Sequence, residues 1–127
     1  MTTRDKSPSA VASEARTRAT ASVAARIRPV LDLDRMVHEP ARLVILSVLA
    51  SAESVEFKFL ESLTGLTRGN LSSHTAKLES AGYVRIHKSF RGRTPFTAFQ
   101  VTPRGLKALA DYRQLLQSMA IPPPKSG

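Results

Sequence analysis

The sequence predicts an α+β, mainly helical domain in which three helices are followed by a two-stranded hairpin and a C-terminal helix. Three observations carry this reading. Apolar residues recur at helical spacing through three stretches between Pro40 and Ala81, each bounded by helix punctuation. After Gly82 the apolar period changes to alternation, first over Val84 and Ile86 and again over Thr97, Phe99 and Val101. Thr102-Pro103 then restarts a helical pattern that continues to Met119.

Proline suits the first turn of a helix, where its missing N–H would have had no partner, so Glu39-Pro40 opens the first helix over 40–50. Leu43, Val44, Ile45, Leu46, Val48 and Leu49 occupy most of its circumference, which predicts a central core helix covered on nearly every side. A second helix is expected from Val55 to Leu63, with Phe57 and Leu60 on one side, Phe59 and Leu63 adjoining, and Gly65 as a left-handed cap just past its end. Leu66 anchors the turn, Thr67 is a suitable N-cap, and a third helix runs to Ala81 and stops at Gly82. In the strands that follow, Val84 and Ile86 face one side and Arg85 and His87 the other. Pairing back across Arg91-Gly92-Arg93-Thr94-Pro95 makes a hairpin with a basic tip. Leu106, Leu109, Leu116 and Met119 mark the stripe of the last helix.

A chain of 127 residues and 13.8 kDa, 42% apolar, supplies one ordinary domain and a tail. The absence of cysteine excludes disulfides, thiolate zinc sites and thiol nucleophiles. With no tryptophan and 6% aromatic residues, a base-stacking platform for single strands is poorly supplied. The apolar run Leu43-Val44-Ile45-Leu46 falls far short of the roughly 20 residues a bilayer span needs, so a soluble, cytoplasmic protein with no membrane partner is expected. Residues 1–30 are rich in alanine, serine, threonine and arginine and have no aromatic residue, which predicts a disordered or partly helical basic arm. Their arginines, Arg16, Arg18, Arg26 and Arg28, match a transit peptide in composition, but Asp5 and Glu14 interrupt that pattern. The folded domain is expected over 31–120 and a proline-rich tail over 121–127.

Charge points to a polyanion. Lysine and arginine number 19 against 10 acids, a formal +9 with a pI near 10.9. The excess is localised: from Arg68 to Lys107 eight basic residues face Glu79 alone, whereas 40–65 carries Arg42 and Lys58 against Glu53, Glu56 and Glu61. A merely solvated surface has no reason to be so one-sided. At about 100° per residue, Leu71, Thr75, Leu78 and Gly82 form the buried side of the third helix, and Asn70, Ser73 and Lys77 fall opposite. Asparagine suits adenine edges, and lysine suits guanine or phosphate, so these three are candidates for base contact. Arg68, Ser72 and His74 lie at the first turn and flanks, better placed for phosphates. The same polar face also fits an ordinary solvated helix. The tip Arg91-Gly92-Arg93 sets two guanidinium groups around a flexible glycine, suited to a minor groove.

The stretch from Leu66 to Val84, with its leucine, serine, histidine, leucine and glycine-aromatic-valine pattern, resembles the recognition helix of winged-helix transcriptional regulators of the ArsR and MarR type. The match extends roughly from Leu33 to Met119, and the leader Leu33–Arg42 and the hairpin Phe90–Pro95 are similar to one small-winged-helix branch of that group. The resemblance implies a winged helix-turn-helix fold and sequence-specific binding of double-stranded DNA as a homodimer. It implies base contacts from Asn70, Ser73 and Lys77 of the third helix in the major groove. Backbone or minor-groove contacts would come from Thr67, Arg68, Ser72, His74, Lys88, Arg91, Gly92, Arg93 and Thr94. A repressor acting at the nucleoid follows from the same likeness. The all-round apolar helix at 40–50 and the leucine stripe at 103–119 are the surfaces expected to join two subunits.

The chain departs from metal-sensing members of the group: it has no cysteine, and His38, His74 and His87 fall in three separate elements. No metal or cofactor site is therefore expected from the sequence, which does not reveal an effector; one would have to bind at a dimer interface or within the small core. Catalysis is not expected either, because the adjacent pair Ser73-His74 diverges by about 100° on a helix and cannot serve as nucleophile and base. The alternative within the same fold is a module that binds RNA, DNA without sequence preference, or a protein.

Overall fold

The computed structural model describes residues 7–119, and the tail expected over 121–127 lies outside them. The chain divides into two compact units, Leu33–Gln114 and the flanking segments Met1–Asp32 with Leu115–Gly127.

The described part of the flanking unit is dominated by α1 (Pro8–Ile27), followed by a 3-10 turn over Arg28–Asp32. Alanine-rich composition favours this helix, Pro8 sits at its first position, and the Ser7 hydroxyl accepts from the Ala10 N–H at 3.2 Å. None of its residues is buried.

The central unit runs α2 (Pro40–Ala50), β1 (Val55–Glu56), α3 (Phe57–Thr64), α4 (Arg68–Ser80), β2 (Val84–Arg91), β3 (Thr94–Val101) and α5 (Pro103–Ser118), the last helix continuing beyond the unit's boundary. The mainly helical α+β class and the element order read from the sequence are found. The sheet is antiparallel with order β1-β3-β2. Core side chains come from every layer: Ile45, Leu46 and Leu49 of α2, Leu60 of α3, Leu71 and Leu78 of α4, Val84 and Phe99 of the sheet, and Leu109 of α5. Leu33 and Val37, in the leader before α2, are also buried.

Four local expectations are corrected. The second helix does not begin at Val55: Val55 and Glu56 form β1, paired with Phe99 and Ala98 of β3, so a third strand joins the expected hairpin. A strand this short has no period of its own and exists only through its distant partner. Phe59 and Leu63 do not adjoin the core, because the short α3 turns a single stripe inward at Leu60 and leaves Phe59 59% exposed. The helix at 40–50 is not covered at every apolar position: Ile45, Leu46 and Leu49 are buried against the sheet, α3 and α4, and Leu43 and Val48 are half-buried, but Val44 is left 45% exposed. The turn of the hairpin is tighter than the five residues expected: pairing runs from Val84↔Val101 to Arg91↔Thr94, leaving Gly92-Arg93 as a two-residue turn. Gly92 holds φ +63° at the first turn position, where a hairpin connection of this length favours glycine.

The start of α5 closes against the end of α4. Thr102 Oγ1 donates to the Gly82 carbonyl at 2.6 Å and accepts from Gly105 N–H at 3.0 Å, while the Thr102 N–H donates to the Tyr83 carbonyl at 3.0 Å. Gly105 fits there because it has no side chain: a Cβ would lie 2.3 Å from the Tyr83 oxygen. The Tyr83 hydroxyl in turn donates to Asp34.

Candidate nucleic-acid interface

Helix α4 is fixed on one side and presented on the other. The Thr67 hydroxyl caps it by accepting from the Asn70 N–H at 3.2 Å, and Gly82, at φ +80°, turns the chain out of it. Leu71, Thr75 and Leu78 are buried, and the Thr75 hydroxyl is satisfied within the helix by donating to the Leu71 carbonyl at 2.8 Å. With that face anchored, the helical period turns Asn70, Ser73 and Lys77 outward, and all three are exposed. The three candidate base-contacting residues therefore share one accessible face.

The residues proposed for backbone contact do not behave as one set. Thr67, Arg68 and Ser72 are exposed at the start and on one flank of α4, with the Arg68 guanidinium 5.7 Å from the centre of the Phe57 ring. Arg68 and Ser72 line a cleft between α4 and the hairpin, whose opposite wall includes Ile86, Lys88 and Thr97. On the other flank His74 is half-buried, with Nδ1 3.4 Å from Arg42 Nη1 and 3.8 Å from Glu39 Oε2. Arg42 also donates through Nε to the Met36 carbonyl at 2.7 Å and through Nη2 to the Arg35 carbonyl at 3.2 Å, so it ties the leader and α2 to α4. Burial acts to raise the Glu39 pKa. Hydrogen bonds from the N–H groups of Arg42 and Ala41, with the charges of His74 and Arg42, outweigh it and hold the carboxyl below its ordinary value.

At the hairpin Lys88, Arg91, Gly92, Arg93 and Thr94 are all exposed. The two arginines differ. Arg91 is stacked on the Phe96 ring, its guanidinium carbon 3.8 Å from the ring centre, while Arg93 occupies the turn itself. Strand alternation puts Arg91 and Phe96 on one face and Lys88, Phe90, Pro95 and Thr97 on the other. Among the described residues no group of three or more histidine, aspartate or glutamate side chains is placed to hold a metal ion. His38 is spent on a 2.9 Å hydrogen bond to the Tyr112 hydroxyl.

Two participants escape a reading of the sequence alone. Arg42 is the single charge on an otherwise apolar helix, and such a charge must find partners, which was the available signal. Phe90 ends the series Val84, Ile86, Lys88, Phe90 that shares one strand face, and it stands 72% exposed beside the basic tip.

Comparison with known proteins agrees with this geometry. Residues 41–120 match the family model described as a winged helix DNA-binding domain. The chain is 35% identical over 79 residues to the uncharacterized protein MJ0432 of Methanocaldococcus jannaschii, covering 61% of this chain and 85% of that one. It is similar in structure to a transcriptional regulator homologue from Pyrococcus horikoshii OT3, with a TM-score of 0.67 and 26% identity over 73% of this chain and 91% of that one. A crystal structure of MarR shares the fold, with a TM-score of 0.60 and 13% identity over 81% of this chain and 76% of that one. Among the described residues no helix is long and apolar enough to cross a membrane.

Proposed function

The chain belongs to the winged helix DNA-binding domain family, and from that premise we propose that it is a cytoplasmic, nucleoid-associated transcriptional regulator that recognises double-stranded DNA by sequence and represses as a homodimer. The observation that carries the reading is the single outward face of α4, where Asn70, Ser73 and Lys77 are exposed together within the basic stretch from Arg68 to Lys107. In this reading α4 lies in the major groove, where Asn70 and Lys77 read base edges and Ser73 hydrogen-bonds to either kind. Thr67, Arg68 and Ser72 hold the adjacent phosphates, and His74 acts on the backbone from the half-buried flank. The hairpin, through Lys88, Arg91, Gly92, Arg93 and Thr94, lies along the backbone or minor groove. The similar Pyrococcus protein is a transcriptional regulator homologue, which supports the regulatory role.

Val44 on α2 and Leu106 on α5, each 45% exposed, support pairing through these two helices. Sedimentation with and without duplex tests it, and a monomer at micromolar concentration in both conditions would remove the dimer. The exposed arginines of the arm, Arg16, Arg18, Arg26 and Arg28, supply extra affinity without sequence preference. Deleting residues 1–30 is expected to weaken all duplexes alike.

The decisive experiment is selection of bound sequences from a random duplex pool near physiological salt with excess nonspecific competitor. A two-fold-symmetric motif is expected. Asn70→Ala and Lys77→Ala should relax that motif, while Arg91→Ala and Arg93→Ala should weaken every duplex and flatten the salt dependence. Tight, salt-sensitive binding with no enriched sequence would refute the reading in favour of a nonspecific or RNA-directed module.

A further inference from the structure

A single exposed apolar side chain needs no special explanation, but an aromatic one set directly beside a cluster of guanidinium groups is positioned to meet whatever those charges bind. Phe90 is such a residue. It is 72% exposed, its cross-strand partner is Pro95, which is also exposed, and Arg91, Gly92 and Arg93 follow it directly. The opposite face of the same hairpin is occupied by the stack of Arg91 on Phe96. The tip thus carries exposed Phe90 and Pro95 on one face and the stacked guanidinium of Arg91 on the other.

The Phe90 face is on the side of α4. Val84 and Ile86 precede Phe90 on that face, Val84 is buried, and Ile86, Lys88 and Pro95 line the cleft shared with Ser72 and Ala76 of α4. In the proposed reading, a duplex lying across the outer face of α4 would meet the hairpin from the side of α4. Reach is sufficient: β2 runs six residues from Val84 to Phe90, about 20 Å of extended chain, and half a turn of the duplex is about 17 Å. The surrounding positive charge selects a polyanion as the occupant.

We propose that Phe90, backed by Pro95, is an apolar wedge that presses into the minor groove and partly unstacks one base step, so that the protein selects its sites by how readily that step deforms. This rests on the reading of α4 as the major-groove element. Flexible pyrimidine–purine steps yield to a wedge, whereas stiff A-tracts resist it and instead attract inserted arginine through their narrow groove. The two modes of hairpin binding therefore predict opposite preferences.

The test compares binding to the alternating copolymer poly(dA-dT), which contains pyrimidine–purine steps, with binding to poly(dA)·poly(dT), which contains none. Wild type is expected to favour the alternating polymer by about fivefold, and Phe90→Ala should abolish or reverse that ratio while still binding both. Phe90→Leu should keep part of it. 2-Aminopurine placed in the alternating duplex should brighten with wild type and stay quenched with Phe90→Ala. Because the residue is exposed, the variant should melt as wild type does, which separates the effect from misfolding. An equal or A-tract preference in wild type, or a ratio unchanged in Phe90→Ala, overturns the wedge. Failure of the α4 reading is seen separately, as a selected motif, or its absence, that does not respond to Asn70→Ala and Lys77→Ala.

Discussion

Replacing Gly105 with alanine puts a methyl group where the structure has the Tyr83 carbonyl. The added carbon would lie 2.3 Å from that oxygen, 2.9 Å from Val101 Cγ2 and 3.0 Å from the Tyr83 carbonyl carbon. Ordinary contact begins near 3.4 Å, so the backbone must part by about 1 Å: the Val101 methyl could shift, but the Tyr83 oxygen, which is the closest obstacle, and the Tyr83 carbonyl carbon belong to main chain that cannot rotate aside. Separation also strains the hydrogen bonds of Thr102 with Gly82, Tyr83 and Gly105. Overpacking costs about 1–3 kcal/mol, and each strained bond puts about 1 kcal/mol at risk. Alanine returns about 1 kcal/mol through its greater helix propensity. The net expectation is destabilisation by about 2–3 kcal/mol, seen as a fall of about 10–20 °C in Tm for a domain of this size. Gly69→Ala is the matched control: Gly69 is also helical, but a Cβ there meets nothing within 4 Å. That variant should be stabilised by about 0.5–1 kcal/mol. Thermal and urea unfolding of both variants decide the matter, and a Gly105→Ala protein that melts with or above wild type would refute the steric argument.

Three further expectations follow from the same packing. Phe99→Ala empties a site 1% exposed and removes the ring that faces Phe57 at 5.9 Å, so it should lower stability by about 3–5 kcal/mol in urea titration. Glu39→Ala removes the acceptor for the Arg42 N–H at 2.7 Å and should cost about 1 kcal/mol at neutral pH. Because the folded pKa of Glu39 is lowered, its contribution is present above the unfolded value of 4.5, and the gap between wild type and variant should close as pH falls below that. The Tyr83 pKa is pushed up to about 12 by burial, by its hydrogen bond to Asp34 and by the Asp34 charge, against the opposing charge of Arg104. Its contribution is therefore complete below pH 10 and lost between about 10 and 12; Tyr83→Phe should be less stable by about 1 kcal/mol at pH 8, with the gap narrowing as pH rises past 10.

What the sequence discloses is what is local and periodic. Thr67, Gly82 and the spacing of Leu71, Thr75 and Leu78 define α4 and its outer face because caps and helical period act over a few residues. The alternation of Val84 and Ile86 against Arg85 and His87 likewise marks β2. Partnership across distance is not legible in this way. Val55 and Glu56 become a strand only because Phe99 and Ala98 lie beside them. Composition made α2 look enclosed, but which of its apolar residues are covered depends on where the other elements pack, and Val44 is left outside. The arginine pair at the hairpin reads as two equal charges in sequence, whereas the fold stacks one of them on Phe96. His74 is drawn toward Arg42 and Glu39 by residues more than thirty positions away.

The meeting of Gly82, Tyr83, Thr102 and Gly105 has a mechanical consequence. The end of α4, both ends of the hairpin's base and the start of α5 are pinned within a few bonds of one another. A helix and a hairpin hinged loosely would each find their grooves independently and tolerate any stagger between them. Pinned in this way they keep a fixed offset from one another, and in the proposed mode of binding they would act as the jaws of a calliper along and around the double helix. One extra base pair between the two contacted segments displaces the second by about 3.4 Å and rotates it by about a tenth of a turn. In the proposed mode of binding, sites are distinguished by phase as well as by base sequence, and loosening the pin should broaden the spacings accepted before it alters the bases preferred.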